Sequence, residues 1–254
     1  MGMLDNKTAI ITGASSGIGY VTAKLFASEG AKLVVVARRE DPLRALADEI
    51  VAAGGKALAL AGDVKDEHLA RKAVELAIEH FGGLDIAFNN AGTLGPMGDL
   101  AGISTEAWHD TIDTNLTSAF FAAKYQIPAM LKRGKASLIF TSSFVGHTTG
   151  MPGMLAYSAS KAGLVGMARS LAAEYSARGV RVNALLPGGT DTEMGHAAAP
   201  TADARAFVES MHAMKRLALP AEIAQAALFL ASDASSFVTG TALFADGGVS
   251  MTKT

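Results

Sequence analysis

Seven short runs of β-branched and aliphatic residues punctuate this chain, at Thr8–Thr12, Lys32–Ala37, Ala57–Leu60, Leu84–Phe88, Ser137–Thr141, Arg181–Leu186 and Ala242–Ala245. Longer alanine-rich stretches of helical period separate them. The runs are almost continuously apolar rather than alternating, which is the pattern of strands covered on both faces. Helical segments between successive strands supply right-handed crossovers, so the strands run parallel. The pattern predicts an α/β fold, a doubly wound parallel seven-stranded sheet with helices on both faces. At 254 residues, 50% of them hydrophobic, the chain can bury one sizeable core. No internal repeat, low-complexity tract or composition shift marks a linker, and a single domain over 1–254 is expected. One segment breaks the rhythm. Residues 188–219, between Pro187 and Pro220, hold no strand-like run, and a substrate lid is expected there.

A formal net charge of -2, with acids and bases interspersed, gives no basic field for nucleic acid or an anionic membrane surface. No apolar run reaches the roughly 18 residues of a membrane span. The opening Met1-Gly2-Met3-Leu4-Asp5 lacks the basic-then-apolar order of a secretory signal. The absence of cysteine excludes a disulfide, a thiolate nucleophile and a zinc-thiolate site. The expected setting is the cytoplasm, the expected partner a small molecule, and no metal site is anticipated.

The first strand runs into Thr12-Gly13-Ala14-Ser15-Ser16-Gly17-Ile18-Gly19, after which a helix continues through Ala27. Glycine here removes the Cβ that would keep backbone from phosphate oxygens, and a helix N-terminus offers free N–H donors and a partial positive charge. The spacing Gly-x-x-x-Gly-x-Gly departs from the usual dinucleotide fingerprint, and a purely structural turn is the competing reading. The second strand ends at Ala37, where an acid would bond the 2′-hydroxyl of an adenosine ribose. Arg38 and Arg39 follow instead. A guanidinium suits a 2′-phosphate, so NADP(H) is favoured over NAD(H). Two solvated arginines are the alternative, with Glu40 or Asp41 still able to reach a ribose. Gly62-Asp63-Val64 and Asn89-Asn90-Ala91-Gly92 fall at the carboxyl ends of the third and fourth strands, the edge where open α/β sheets bind ligands. Asp63 and Val64 suit the adenine, and Asn90, Ala91 and Gly92 the adenosine side. Helix caps and turns account for the same residues equally well.

Tyr157 and Lys161 stand four residues apart and share one helix face, a phenol beside an ammonium. A free tyrosine titrates near ~10, so proton transfer at ambient pH needs about 4 kcal/mol in favour of tyrosinate. An ammonium at about 5 Å and an effective dielectric of ~20 contributes about 3 kcal/mol. A surface i,i+4 pair is the bland reading of the same spacing.

In order along the chain stand Thr12-Gly13-x-x-x-Gly17-x-Gly19, Asn89-Asn90-Ala91-Gly92, Asn115, Ser143, Tyr157-x-x-x-Lys161 and Pro187-Gly188. Over essentially its whole length the chain resembles the short-chain dehydrogenase/reductase family. The resemblance implies a seven-stranded Rossmann sheet, a nicotinamide cofactor and a homotetramer or homodimer. It implies that Asn115 kinks a helix and orders a water, that Ser143 bonds the substrate oxygen, and that Tyr157 is the general acid/base. Lys161 would also bond the nicotinamide ribose. Pro187, Gly188, Thr190 and Thr192 would meet the nicotinamide, with Thr192 on its carboxamide. Ser143 lies fourteen positions before Tyr157, one more than in many members, and Ser142 stands beside it.

Met97, Met151, Met154, Leu155, Met194, Phe207 and Met211 come from three loops expected above the nicotinamide, which suits a hydrophobic ketone or secondary alcohol. Core packing explains some of them equally well. Ala159, Ala162, Gly163, Gly166 and Ala168 are small enough to pack against a neighbouring subunit. His147 reads as loop surface, Trp108 as a packing anchor, and Lys132, Arg133 and Lys135 as a solvated helix end or a site for an acidic carrier protein. The leading reading is an NADP(H)-dependent carbonyl reductase or secondary-alcohol dehydrogenase. An NAD-linked alcohol dehydrogenase, a 3-oxoacyl-carrier-protein reductase and a non-catalytic dinucleotide sensor are the alternatives.

Overall fold

The computed structural model describes residues 2–252. The strands β1 (Thr8–Thr12), β2 (Lys32–Ala37), β3 (Lys56–Ala61), β4 (Ile86–Asn89), β5 (Ala136–Thr141), β6 (Val180–Pro187) and β7 (Ala242–Ala245) form one sheet in the order β3-β2-β1-β4-β5-β6-β7. Every neighbouring pair is parallel. The fourth strand opens at Ile86 rather than Leu84. Asp85 just before it is buried and accepts from the Thr8 N–H at 2.9 Å and from Arg133 Nε at 2.9 Å, so it clamps the strand entrance.

The helices are α1 (Gly17–Ser28), α2 (Glu40–Ala52), α3 (Glu67–Phe81), α4 (Thr105–Ile112), α5 (Ser118–Leu131), α6 (Leu155–Tyr175), α7 (Glu193–Ala198), α8 (Ala202–Met211) and α9 (Pro220–Ala231). The two-residue period of the strands sorts the core into two layers. Ile10, Val34, Ala87, Leu138 and Val182 point to one face, where Val74 of α3, Ile127 of α5 and Leu164 and Ala168 of α6 cover them. Ile11, Val35, Phe88, Ile139 and Leu185 point to the other, beneath Phe26 of α1, Leu43 and Leu46 of α2 and Ile223 and Leu228 of α9. Both faces are dry, which is why the strands read as continuous apolar runs.

After β3 the chain crosses back over β1 to lay down β4 on its far side. The loops leaving β1 and β4 therefore part in opposite directions and open a crevice at their carboxyl ends. Residues 188–219 lie above that crevice and hold α7 and α8. An isolated parallel bridge pins the segment: Ala218 N–H donates to Gly189 O at 2.8 Å and Asp191 N–H to Ala218 O at 2.9 Å. Asp191 ties the two short helices together, within 2.7 Å of His196 Nε2 and 3.2 Å of Arg205 Nη2. Its hydrogen bond from His196 and the Arg205 charge hold its carboxyl below the usual range. No helix among the described residues is long and apolar enough to cross a membrane.

Candidate active site

The crevice is a cavity of ≈ 880 Å³. Gly13, Ser15, Ser16, Gly17 and Ile18 form its floor at one end, with Arg38, Arg39, Asp63 and Val64 beyond them. Asn90, Ala91 and Gly92 line the middle, and Ser143, Tyr157, Lys161, Pro187, Gly188, Thr190 and Thr192 the other end. Two of the residues singled out in the sequence, Gly19 and Asn115, stand behind this wall rather than in it.

The turn after β1 fits a dinucleotide pyrophosphate. Gly13 has φ +68° and Gly17 φ +55°, a region that side chains with a Cβ disfavour. Behind them, a Cβ on Gly19 would stand 2.3 Å from Gly13 O, so this position supports the turn by allowing close backbone approach. Helix α1 begins with no acidic residue in its first turn and no side-chain cap, which leaves its N–H groups and partial positive charge facing the cavity. Thr12 Oγ1 accepts from the N–H groups of Asn90 and Ala91, both at 3.0 Å. Asn90 donates to Thr12 O at 3.3 Å and accepts from Thr141 Oγ1 at 3.1 Å. The Asn90 side chain thus laces three strand ends together.

At the far end Asp63 Oδ1 accepts from the Lys65 N–H at 3.0 Å in a tight turn. Arg38 is exposed, and Arg39 Nη2 lies 3.3 Å from Glu193 Oε2 on α7. Glu193 was not singled out in the sequence. Only the folding of α7 over the phosphate turn brings the two side chains together. Thr192 shares that approach: a Cβ on Gly17 would meet its Cγ2 at 3.2 Å, and its hydroxyl caps α7 by accepting from Gly195 N–H at 3.0 Å.

The Ser142 and Ser143 hydroxyls touch different groups. Ser142 Oγ donates to Lys161 O at 2.6 Å and is structural. Ser143 draws the pKa of the Tyr157 phenol down, and its Oγ accepts from Val145 N–H at 3.1 Å. In the loop between Ser143 and Tyr157, Gly146 has a φ of +85° and turns the chain against Ser158.

Lys161 is buried, 4% exposed, and its Nζ donates to Thr141 O at 2.8 Å while standing 5.7 Å from the centre of the Tyr157 ring. Burial lowers its pKa to about 8. Burial also pushes the Tyr157 phenol up, and the Ser143 hydrogen bond pulls it back only in part. The sequence arithmetic, in which the lysine charge lowers the tyrosine, is therefore not met by the protein groups alone. Desolvation dominates because the same enclosure that brings the pair together removes water from both.

Asn115 sits in a π-helical turn, Asp113–Thr117, that joins α4 to α5. Such turns insert one residue into the helical ladder and re-aim a side chain. Asn115 Oδ1 accepts from Thr93 N–H at 2.7 Å, and its Nδ2 donates to Thr93 O and Ser160 Oγ, each at 2.9 Å. The amide thus ties the loop after β4 to α6. A Cβ on Gly92 would meet both Asn115 Oδ1 at 3.1 Å and Lys161 Nζ at 3.2 Å, so Gly92 is what lets these groups converge.

Of the seven apolar residues expected at the substrate end, Met97, Met151, Met154 and Met194 line the cavity. Met211 packs in the small cluster behind Phe144 and Val249, and Leu155 and Phe207 face outward, 45% and 63% exposed. Leu94, Phe144, Val145, Pro152, Ala198 and Val208 complete the lining and were missed. Phe144 and Val145 directly follow Ser143 at a strand's carboxyl edge, and that position was the available signal. Among the small residues of α6, Gly163 packs on Leu116 of the π-helical turn and Ala168 on the sheet, so internal packing accounts for both. In the basic cluster, Arg133 pairs with Asp85 and Lys135 with Asp233 at 2.7 Å, which leaves little positive charge for an acidic partner. His147 lies against Phe244, 5.9 Å between ring centres, away from the cavity.

A family model described as enoyl-(acyl carrier protein) reductase matches residues 13–250. A cyclohexanol dehydrogenase of Acinetobacter sp. (strain SE19) is 39% identical over 96% of this chain and 94% of its own. A solved short-chain type dehydrogenase/reductase from Mycobacterium marinum superimposes with a TM-score of 0.91 at 36% identity, covering 98% of this chain and 97% of that one. This chain belongs to the short-chain dehydrogenase/reductase family. It is an NAD(P)-dependent oxidoreductase of alcohol and carbonyl groups. A solved Beutenbergia cavernae protein with NADP bound at low occupancy is similar as well, with a TM-score of 0.91 at 35% identity over 97% of each chain.

Proposed function

We propose that this short-chain dehydrogenase/reductase is an NADP(H)-dependent carbonyl reductase and secondary-alcohol dehydrogenase that uses Tyr157 as its general acid/base. The observation that carries the reading is the meeting of Tyr157, Ser143 and Lys161 on one wall of a cavity whose opposite end is bounded by Arg38 and Arg39. When bound, the nicotinamide cofactor supplies or accepts the hydride. Gly13, Ser15, Ser16, Gly17 and Ile18 would hold its pyrophosphate, with Gly19 shaping the turn. Arg38 and Arg39 would take the 2′-phosphate, Asp63 and Val64 the adenine, and Asn90, Ala91 and Gly92 the adenosine side. Lys161 would bond the nicotinamide ribose, and Pro187, Gly188, Thr190 and Thr192 would face the nicotinamide.

In the reductive direction Tyr157 gives its phenolic proton to the carbonyl oxygen, which Ser143 holds by a hydrogen bond. Tyr157 is left as a phenolate beside the Lys161 ammonium. Burial penalises either charge alone, so the two charges together offset part of each other's desolvation. Asn115 holds the loop bearing Gly92, and Lys161, whose Nζ donates to Thr141 O, would return a proton to Tyr157 and regain one from solvent. Methionines at the substrate end, with no charged side chain there except Lys161 among the described lining residues, suit an uncharged apolar substrate such as an alicyclic ketone or alcohol. The 188–219 segment is then the lid over that end, and 1–254 one catalytic domain. Exposed Phe120 and Phe237, 52% and 102% accessible, fit a homodimer or homotetramer.

An NAD-linked alcohol dehydrogenase is the second reading, and Glu193 favours it, since its carboxylate neutralises Arg39 and repels a 2′-phosphate. Steady-state kinetics with NADPH and NADH on a panel of alicyclic ketones discriminates the two. The NADP reading requires a higher kcat/KM with NADPH, rising further in Glu193→Gln. A clear preference for NADH in both proteins refutes it. Tyr157→Phe is expected to lose several orders of magnitude in kcat while cofactor affinity stays within a few-fold, and a variant of near-normal kcat ends the acid/base assignment.

A further inference from the structure

His212 is the C-cap residue of α8 and is 1% exposed, yet it is no part of the cavity wall. Both ring nitrogens are used, and both by backbone. Gly189 N–H donates to Nε2 at 2.9 Å, and Nδ1 lies 2.7 Å from Val208 O. An amide N–H can only donate and a carbonyl can only accept. Nε2 must therefore carry the lone pair and Nδ1 the hydrogen, so the surroundings select one neutral tautomer of the imidazole.

The place of this ring gives the arrangement a purpose. Gly189 lies in the stretch after β6, between Gly188 and Thr190, and all three residues line the Tyr157 end of the cavity. A Cβ on Gly189 would meet His212 Cε1 at 3.0 Å and Val208 Cγ1 at 3.1 Å, so the glycine lets the wall sit directly on the ring. The edge of the ring meets Phe144, next to Ser143, with centres 6.5 Å apart, and a Cβ on Gly247 after β7 would lie 3.4 Å from His212 Cδ2. One buried side chain joins the lid helix to the loops that follow β5, β6 and β7.

We propose that His212 is a positioning residue: as the Nδ1–H tautomer it fixes the Gly188–Thr190 wall against the cofactor's nicotinamide end through the Gly189 N–H. The inference rests on the reading of this cavity as a nicotinamide site. Asn and Gln divide the two bonds of the ring. Glutamine can offer an oxygen where Nε2 stood and keep the Gly189 bond, whereas asparagine can offer N–H where Nδ1 stood and keep only the Val208 bond.

The experiment is steady-state kinetics of the full-length enzyme with NADPH and a turned-over ketone, for His212→Gln and His212→Asn. One lost hydrogen bond corresponds to roughly fivefold to tenfold in affinity. His212→Asn is expected to raise the cofactor KM by about that factor with kcat changed less than about threefold, and His212→Gln to restore the wild-type KM. A residue that merely caps α8 gives the reverse order, with Asn tolerated and Gln impaired, and that result overturns the proposal, as does no effect in either variant. If both variants fail to fold, imidazole ¹⁵N shifts of the wild-type protein decide. A protonated Nδ1 with an unprotonated Nε2 supports the proposal, and the opposite tautomer overturns it. Failure of the wild-type protein to bind either dinucleotide would instead strike the enzymatic reading, which keeps the two failures distinct.

Discussion

Replacing Lys161 with methionine should make the protein more stable and less active at the same time. Burial lowers the Lys161 pKa from 10.5 to about 8, so the folded state disfavours the ammonium form that the unfolded chain prefers. At neutral pH that difference costs the native state about 3 kcal/mol, at 1.36 kcal/mol per pKa unit. Methionine fills a similar volume without charge, but it leaves Thr141 O without the 2.8 Å hydrogen bond, a loss of about 1–2 kcal/mol. The net gain is about 1–2 kcal/mol, and in a protein of this size each kcal/mol moves Tm by ~2–4 °C. The pH dependence carries the argument. For a base whose folded pKa is depressed, the penalty is complete below about 8 and fades as pH rises toward 10.5, because only then does the unfolded chain also lose its proton. Thermal unfolding of both proteins without cofactor, at one protein concentration across that interval, should therefore give a Lys161→Met advantage that narrows with rising pH. A variant no more stable than wild type at neutral pH, or an advantage flat across the interval, would refute the reasoning. Reductase activity should fall by orders of magnitude throughout.

Thr22 on α1 is fully buried and its Oγ1 has no hydrogen-bond partner among the described residues, so Thr22→Val should raise stability by about 1 kcal/mol, seen as a Tm shift of ~2–4 °C; an unchanged or lower Tm would mean that the hydroxyl is satisfied. Glu222 accepts two hydrogen bonds from Arg216, each at 2.7 Å, and one from the Leu219 N–H at 2.8 Å. The Arg216 bonds, first, and the Leu219 N–H lower its pKa from 4.5 to about 2. An acid depressed in the folded state stabilises above its unfolded pKa and loses that contribution as pH falls through the folded one. The Tm deficit of Glu222→Gln should hold at neutral pH and close between 4.5 and about 2, and a deficit that persists at the acid end would contradict the pairing.

How far the sequence reaches depends on whether the signal is local. Continuous apolar runs reveal a sheet buried on both faces wherever they occur, so all seven strands are legible, and the glycines of the phosphate turn announce a close backbone approach at the residues themselves. Tyr157 and Lys161 are legible because a helix turns four residues into one face. Glu193 beside Arg39, and Gly189 against His212, are not legible, since each joins segments with no common period. Burial around Tyr157 is not legible for a related reason: spacing gives the distance to a charge but says nothing of how much water the fold removes around it.

By itself, then, the amino-acid sequence determined the parallel α/β architecture, the glycine turn that suits phosphate, the Tyr157–Lys161 pair and the family to which they belong. The tertiary structure alone decided the strand order that opens the crevice between β1 and β4, the different partners of the Ser142 and Ser143 hydroxyls, the hydrogen bonds of Asn115 to Thr93, and the closure of α7 and α8 over the site. Local propensity and periodicity act along the chain and can be read there, whereas burial, desolvation and contacts between distant loops come into being only when the sheet is assembled.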